Sequence, residues 1–396
     1  MLSNKATTIK PSSTLAITAK AKKLKNEGID VIGFGAGEPD FDTPEHIKEA
    51  AIKAIKEGCT KYTPASGIAS LKQTICNKLA LDNGLTYKPN QIVVSNGAKH
   101  SLTNTFMTIL NPGDEVIIPS PFWLSYPQMV KLADGIPVFV RTTKEQCFKV
   151  SVSQLEEVVN HKTKAIIINS PSNPTGMIYS KEELKELADF ALRNDLYVIS
   201  DEIYEKLIYD DNQHVSIASL NKDIYDKTIV INGVSKAYAM TGWRIGYAAC
   251  NEKISKLMSN IQSHATSNPN TIAQIATETA LSNSQECVNA MVEEFEQRRN
   301  YMFERIENMP LISTIKPQGA FYLFVDISKL QQKIYKGKSI GYATDLANLL
   351  LEEENVAIIP CNDFAYDDHI RLSYAISLEQ IKTGLDRIEK FLNKLL

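Results

Sequence analysis

Short apolar runs recur through the middle of the chain. They are QIVVS (91–95), DEVIIP (114–119), KAIIIN (164–169), LYVIS (196–200), TIVIN (228–232) and IGYAAC (245–250). Each is nearly continuous in hydrophobicity rather than alternating, as expected of strands covered on both faces. Helical periodicity fills several of the gaps. It is clearest in SKEELKELADFALRND, where Ser180 and Glu183 form a capping-box pair and Leu184, Leu187, Ala188 and Ala191 line one face. Strand, helix and strand in succession imply right-handed crossovers and a mostly parallel central sheet, an α/β fold. Ligands of such sheets gather at the carboxyl ends of the strands.

The pattern changes after about residue 285. A long charged helix around VNAMVEEFEQRRNYMFERIENM leads to a strand at GAFYLFVDI, with further helical stretches around IRLSYA. We expect a large domain over residues 46–285 and a smaller α+β domain from residues 1–45 together with 286–396. The N-terminus reads as a loop followed by an amphipathic helix.

Composition narrows the class. With 43 basic and 46 acidic residues the charge nearly balances, which argues against a nucleic-acid partner. No apolar run is long enough to span a membrane, and the N-terminus lacks the apolar core of a signal peptide. The cysteines show no CxxC spacing and the histidines no HExxH or HxxxH pair, so neither a disulfide framework, a zinc site nor any other metal is expected. A reducing cytoplasm fits these features best.

Candidate chemistry sits just beyond the strands. NGAKHS follows IVVS and opens a helix, whose first N–H groups attract anions. SPSNPTG follows KAIIIN, DEIYE follows LYVIS, and GVSKAYAMTGWRIGY follows TIVIN. Each has an ordinary reading: an αβ turn, an Asn-Pro turn, an aspartate that caps a helix, a solvated lysine. Together they bring an anion cradle, an amide, a carboxylate, a tyrosine and a lysine to neighbouring strand ends. Pyridoxal phosphate needs that set. Its aldehyde takes a lysine amine, its ring nitrogen a buried carboxylate, its phosphate a helix N-terminus with an arginine.

SKAYAMTGWRIGY, with GAGEPDF and SNPTG in support, resembles the fold-type I, class I aminotransferases, and most closely the bacterial aspartate aminotransferases of the 1β subgroup. The likeness runs from KPSSTLAITAKAKKL to IRLSYA, nearly the whole chain. It implies that Lys236 carries the cofactor, that Asp201 pairs with its ring nitrogen, and that Tyr204 and Asn173 hydrogen-bond its phenolic oxygen. It implies a phosphate held by Ser235, Arg244 and the backbone of Gly97, Ala98 and Lys99, and Trp123 stacked on the ring. Tyr62 would reach the phosphate of a neighbouring subunit, making a homodimer with shared sites. Arg371 would clamp the substrate α-carboxylate and Gly37 would lie against the substrate. The family also places cis peptides before the prolines matching Pro121 and Pro174.

The resemblance implies amino acids and oxo acids as substrates. Lys99 is the candidate for the distal carboxylate of aspartate and 2-oxoglutarate. A lysine in a helix's first turn opposes the helix dipole and so needs another reason to be there. Lys10 matches a position linked to prephenate as an alternative acceptor, which is left open. Aromatic or alanine transamination and C–S β-lysis share the same core residues and stay open as alternatives. A catalytically inert regulatory protein is disfavoured, since no segment remains for a helix-turn-helix. A Rossmann dehydrogenase is disfavoured too, because GFGAGE lacks the third glycine. One departure stands out: where the family reads close to PGxxFG, this chain reads PCNDFA, with Cys361 and Ala365 in glycine positions. The loop carrying Arg371 is therefore expected to differ in shape, and Cys361 to be a passive loop residue.

Overall fold

The computed structural model describes residues 2–9, 11 and 13–396. Its centre is a seven-stranded sheet of β1 (Ile92–Ser95), β2 (Glu115–Ser120), β3 (Ile136–Arg141), β4 (Thr163–Asn169), β5 (Tyr197–Asp201), β6 (Thr228–Gly233) and β7 (Gly246–Ala249), in the order β1-β7-β6-β5-β4-β2-β3. Neighbours pair in parallel from β6 to β3, whereas β7 runs antiparallel to both β1 and β6. The link from β6 to β7 explains the exception. It carries a turn over residues 235–238 and the short 3₁₀ turn Thr241–Trp243 but no crossover α-helix, so the chain re-enters the sheet reversed.

The continuous apolar runs are buried on both faces because alternate residues feed different cores. Val116, Ile118 and Ile167 join one cluster with Leu102, Phe106 and Met258. Ile117, Ile166 and Ile168 point the other way, onto Leu184, Leu187 and Phe190 of the helix Lys181–Arg193. That helix starts as its sequence predicts: Glu183 N–H donates to Ser180 Oγ, and Ser180 N–H to the Glu183 carboxylate. Strand β3 escaped the sequence reading because it is the sheet edge. Most of its side chains are not buried, and Pro137 sits in it, as only an edge tolerates.

A second, antiparallel sheet joins β8 (Tyr322–Asp326) to β9 (His369–Ser373), flanked by the short strands Ser313–Thr314 and Ile359–Pro360. Ile32–Gly33 pairs in parallel with Val356–Ala357, so the start of the chain packs with its end. The helices Glu286–Glu307 and Leu378–Asn393 cover this part. The N-terminal stretch read as a loop contains a helical turn, Asn4–Thr8. It is tethered by Lys5 Nζ, which donates to Asp134 Oδ2 at 2.7 Å and Leu132 O at 3.1 Å. Helix α1 (Ser13–Asn26) follows it.

Candidate active site

A cavity of about 690 Å³ opens where β4, β5 and β6 end, bounded on the other side by β8, β9 and α1. That is the size range of small-molecule sites. Every side of it is traceable to a local cause.

At the end of β1 the chain turns through Gly97 (φ +85°) into helix α2 (Ala98–Ile109). Glycine is required there twice over: the φ is left-handed, and a Cβ would stand 2.3 Å from Arg244 Nη2. Arg244 is itself left-handed (φ +60°), and its guanidinium donates to Thr241 O at 3.0 Å and Asn96 O at 3.2 Å. A second glycine, Gly246 of β7, lets the helix start sit directly on the sheet, since a Cβ there would be 2.2 Å from Ala98 N. A cation and a helix N-terminus are thereby brought together, and both favour an anion. Ser235 lines the cavity beside them.

Strand β5 delivers Asp201, 3% exposed. Its Oδ2 accepts from Tyr126 Oη at 2.7 Å and its Oδ1 from Ile203 N at 3.3 Å. Burial pushes its carboxyl up to about 6, although the Tyr126 hydrogen bond opposes that. No helix follows Asp201; the chain makes a turn that aims Tyr204 into the cavity, where its hydroxyl meets that of Tyr322 at 3.0 Å. Strand β4 ends in Asn169, whose Oδ1 accepts from Asn173 N at 2.9 Å and fixes the turn that presents Asn173. Cis peptides precede Pro121 and Pro174, and a third precedes Pro171.

Strand β6 delivers Lys236. Its amine lines the cavity, half-buried, and donates to Gly37 O at 2.6 Å. Burial lowers its amine to about 8, assisted by Arg371 and Arg244 and resisted by Glu38 and Asp201. Across the cavity, β9 carries Arg371, 2% exposed. Its Nη1 donates to Asn173 Oδ1 at 3.1 Å, its Nη2 to Gly35 O at 3.5 Å, and its guanidinium lies 4.2 Å from the Tyr322 ring centroid. Its buried Nε has no partner among the described residues. A buried donor left unpaired is costly, so this guanidinium is poised for an acceptor.

Comparison with known proteins decides the family. The profile described as aminotransferase class I and II matches residues 29–388. An aspartate aminotransferase of Bacillus sp. (strain YM-2) is 51% identical over 393 residues, 99% of each chain. A probable aspartate/prephenate aminotransferase of Aquifex aeolicus is 46% identical, over 100% of this chain and 99% of its own. The crystal structure of the aspartate aminotransferase from Rhizobium meliloti superposes with a TM-score of 0.96 at 39% identity, covering 100% of both chains.

The chain belongs to the class I and II aminotransferases. For an aminotransferase, the residues expected from sequence gather well. Gly37, Ala98, Lys99, Trp123, Asn173, Asp201, Tyr204, Ser235, Lys236, Arg244 and Arg371 all line the one cavity. Lys99 lies with its amine 4.8 Å from the Trp123 ring centroid, and burial with Arg244 nearby lowers its pKa. At Gly37 a Cβ would meet only Tyr322 Oη, at 3.8 Å, so a side chain there would take cavity space rather than clash with protein. Tyr62 is not in the cavity; it is 90% exposed. Lys10 lies outside the described residues.

The Arg371 loop needs one correction. Cys361 has an ordinary backbone (φ −97°), so its position has no need of glycine. Ala365 adopts the left-handed conformation (φ +68°) despite its Cβ, so the loop keeps a glycine-like turn there under strain. Burial raises the Cys361 thiol well above its usual range. The sequence reading missed Tyr126 and Tyr322. Tyr126 stands three residues after Trp123, and its ring meets the Trp123 ring edge-on at 5.4 Å. A helical spacing from an expected ring-stacking residue was the available signal. Tyr322 gave none, because GAFYLF reads simply as core.

Proposed function

We propose that this aminotransferase transfers the amino group between L-aspartate and 2-oxoglutarate, using pyridoxal 5′-phosphate held by Lys236. The carrying observation is that amine: half-buried in the cavity wall, lowered to about 8, and set between the Asp201 carboxylate and two arginines. The residues present fit the cofactor. Asp201 is a buried carboxylate with no cation hydrogen-bonded to it, Arg244 and the α2 start make an anion cradle, and Arg371 Nε awaits an acceptor.

When bound, the cofactor supplies an electron sink for the pair left by the departing α-proton. The chain does the rest. Asp201 would keep a proton on the ring nitrogen, with Tyr126 holding the carboxylate in place. Tyr204 and Asn173 would hydrogen-bond the phenolic oxygen, Arg244, Ser235 and the N–H groups of Gly97, Ala98 and Lys99 would hold the phosphate, and Trp123 would pack on the ring. Arg371 grips the α-carboxylate with its planar fork and so orients the α C–H bond. Gly37 leaves the substrate its space. Lys236 would take the substrate α-proton and hand it on to the former aldehyde carbon of the cofactor, a task suited to an amine titrating near neutrality. Helix α1 contributes Thr14, Ile17 and Ala21 to the cavity wall and limits water entry.

Lys99, at the cavity edge, is the cation for the distal carboxylate. The names of the Bacillus and Aquifex relatives support aspartate, and the latter supports prephenate as a further acceptor, with Lys10 as its contact. We further propose a homodimer, in which exposed Tyr62 reaches the partner's phosphate. We keep the division into residues 46–285 and the remainder as two domains. Six free cysteines support a reducing cytoplasm. Among the described residues no helix is long and apolar enough to cross a membrane.

The test is the visible spectrum of the purified protein with pyridoxal phosphate, before and after L-aspartate, alanine and phenylalanine, each without acceptor. Conversion by aspartate at the lowest concentration is expected. A protein answering alanine or phenylalanine first would lose the aspartate assignment, and one that takes up no cofactor would lose the whole reading.

A further inference from the structure

Residues 201–205 read DEIYE, and the turn sorts them by face. Asp201 and Tyr204 line the cavity. Glu202 and Glu205 point the opposite way, into a sealed polar pocket, and are 1% and 8% exposed. Glu202 Oε1 accepts from Ser200 Oγ at 2.8 Å and Ser216 Oγ at 2.6 Å, while its Oε2 meets His214 Nε2 at 3.0 Å. Glu205 Oε1 is paired with Lys78, and its Oε2 accepts from Asn83 Nδ2 at 2.8 Å. Lys78 and Asn83 both belong to the helix Ala69–Asn83. Lys78 also lies 3.5 Å from Asp82, which Lys206 reaches at 2.8 Å.

The oxygen and nitrogen atoms of Glu202, Glu205 and His214 lie within 4.8 Å of one another, a spacing that would suit a metal. The geometry argues otherwise. All four carboxylate oxygens already accept from protein donors, and the Lys78 ammonium already supplies a cation. What the pocket does need is charge balance. Two buried carboxylates face one ammonium, and a buried charge without a counter-charge is expensive. His214 is the group that can supply the second positive charge, against the cost of a buried Nδ1–H that finds no partner among the described residues.

We propose that the Glu202–His214 pair is a positioning device for the active site: a protonated His214 offsets the Glu202 charge, so that Asp201, the preceding residue, stays ionised against the ring nitrogen. This deepens the proposed function and rests on it. Burial works against the His214 charge, but Glu202 first and Glu205 next outweigh it despite Lys78, so its pKa is raised. Among the influences on Asp201, Glu202 is one that pushes its carboxyl up, behind burial itself. The other charged groups around the pocket are Asp82 and Lys206. The phenols of Tyr87, Tyr238 and Tyr247 are also in electrostatic reach, and burial keeps each of them neutral. The Glu205–Lys78 pair anchors the same turn one residue beyond Tyr204.

A charge cycle on the holoenzyme separates this role from packing. His214→Gln should leave Glu202 unbalanced. The acid limb of the kcat/KM profile for aspartate should then move up by roughly half a pH unit or more, and bound pyridoxal phosphate should dissociate about tenfold faster at neutral pH. Adding Glu202→Gln removes the charge that needed balancing, and both readouts should return most of the way to wild type. A double variant as impaired as the single one, or a single variant with unshifted profile and dissociation, would overturn the proposal. A measurement without substitutions guards against misfolding: in ¹³C-histidine-labelled wild-type holoenzyme the His214 resonance should titrate above the ordinary histidine value. Titration below pH ~6.5 would overturn the proposal equally. Failure of the wild type to take up pyridoxal phosphate would instead sink the reading on which this one stands.

Discussion

The environment of Lys236 works against its charge. Its amine falls from 10.5 to about 8, so the folded protein binds its proton less readily than the unfolded chain does. The resulting destabilisation is complete below pH ~8 and fades as pH climbs toward the unfolded value. Lys236→Met in cofactor-free protein should therefore raise stability at pH 7 by about 2 kcal/mol, allowing for the solvent its amine meets. Chemical denaturation across pH 7 to 10.5 should show that gain shrinking; a constant gain would refute the linkage. In the presence of cofactor, Lys236→Ala should cost at least about a thousandfold in turnover. Ala365 belongs to the same scale. Its left-handed backbone makes Ala365→Gly stabilising by about 0.5–1 kcal/mol, readable as a shift in thermal midpoint.

Elements are placed by close approach. Helix α2 can start on β7 only because Gly246 lacks a Cβ, and Arg244 can reach that start only because Gly97 does. Gly97→Ala should displace the guanidinium and weaken cofactor binding at least about tenfold, while most of the fold's stability survives. Gly246→Ala presses on backbone rather than on a flexible side chain, and should destabilise by at least about 2 kcal/mol. Comparing cofactor titration with thermal midpoints for the two variants checks the distinction. The first turn of α2 also carries Lys99. Lys99→Ala should raise KM for aspartate far more than for alanine or phenylalanine, and equal losses would remove it from the specificity argument.

At the scale of the molecule, the site is a seam. The β4, β5 and β6 ends meet Arg371 from the second sheet, Gly35 and Gly37 from the N-terminal strand region, and the wall of α1. Anything that moves the second sheet moves Arg371 relative to Lys236. Tyr62, 90% exposed, is the aromatic that this seam leaves unused. Sedimentation should give about twice the 44.1 kDa chain mass. Tyr62→Phe should lower cofactor affinity without changing that mass; a monomer with full activity would refute the shared site.

The sequence by itself determined the parallel core and most of the site. Strands buried on both faces write uninterrupted apolar runs, and the residues proposed to hold pyridoxal phosphate, Asn173, Asp201, Lys236 and Arg244, stand just after them. Those signals are local, so they survive in one dimension. Strand β3 did not, because an edge strand carries half-exposed residues and a proline. The reversal of β7 did not, because strand direction depends on where a connection travels. Tyr126, Tyr322 and the Glu202–His214 pocket were invisible for a related reason. Tyr126 meets Asp201 across 75 residues, and Lys78 meets Glu205 across 127. Such pairs exist only once helices and strands have packed, and no periodicity along the chain records them. The tertiary structure alone decided which carboxylate faces the cavity and which faces a buried histidine.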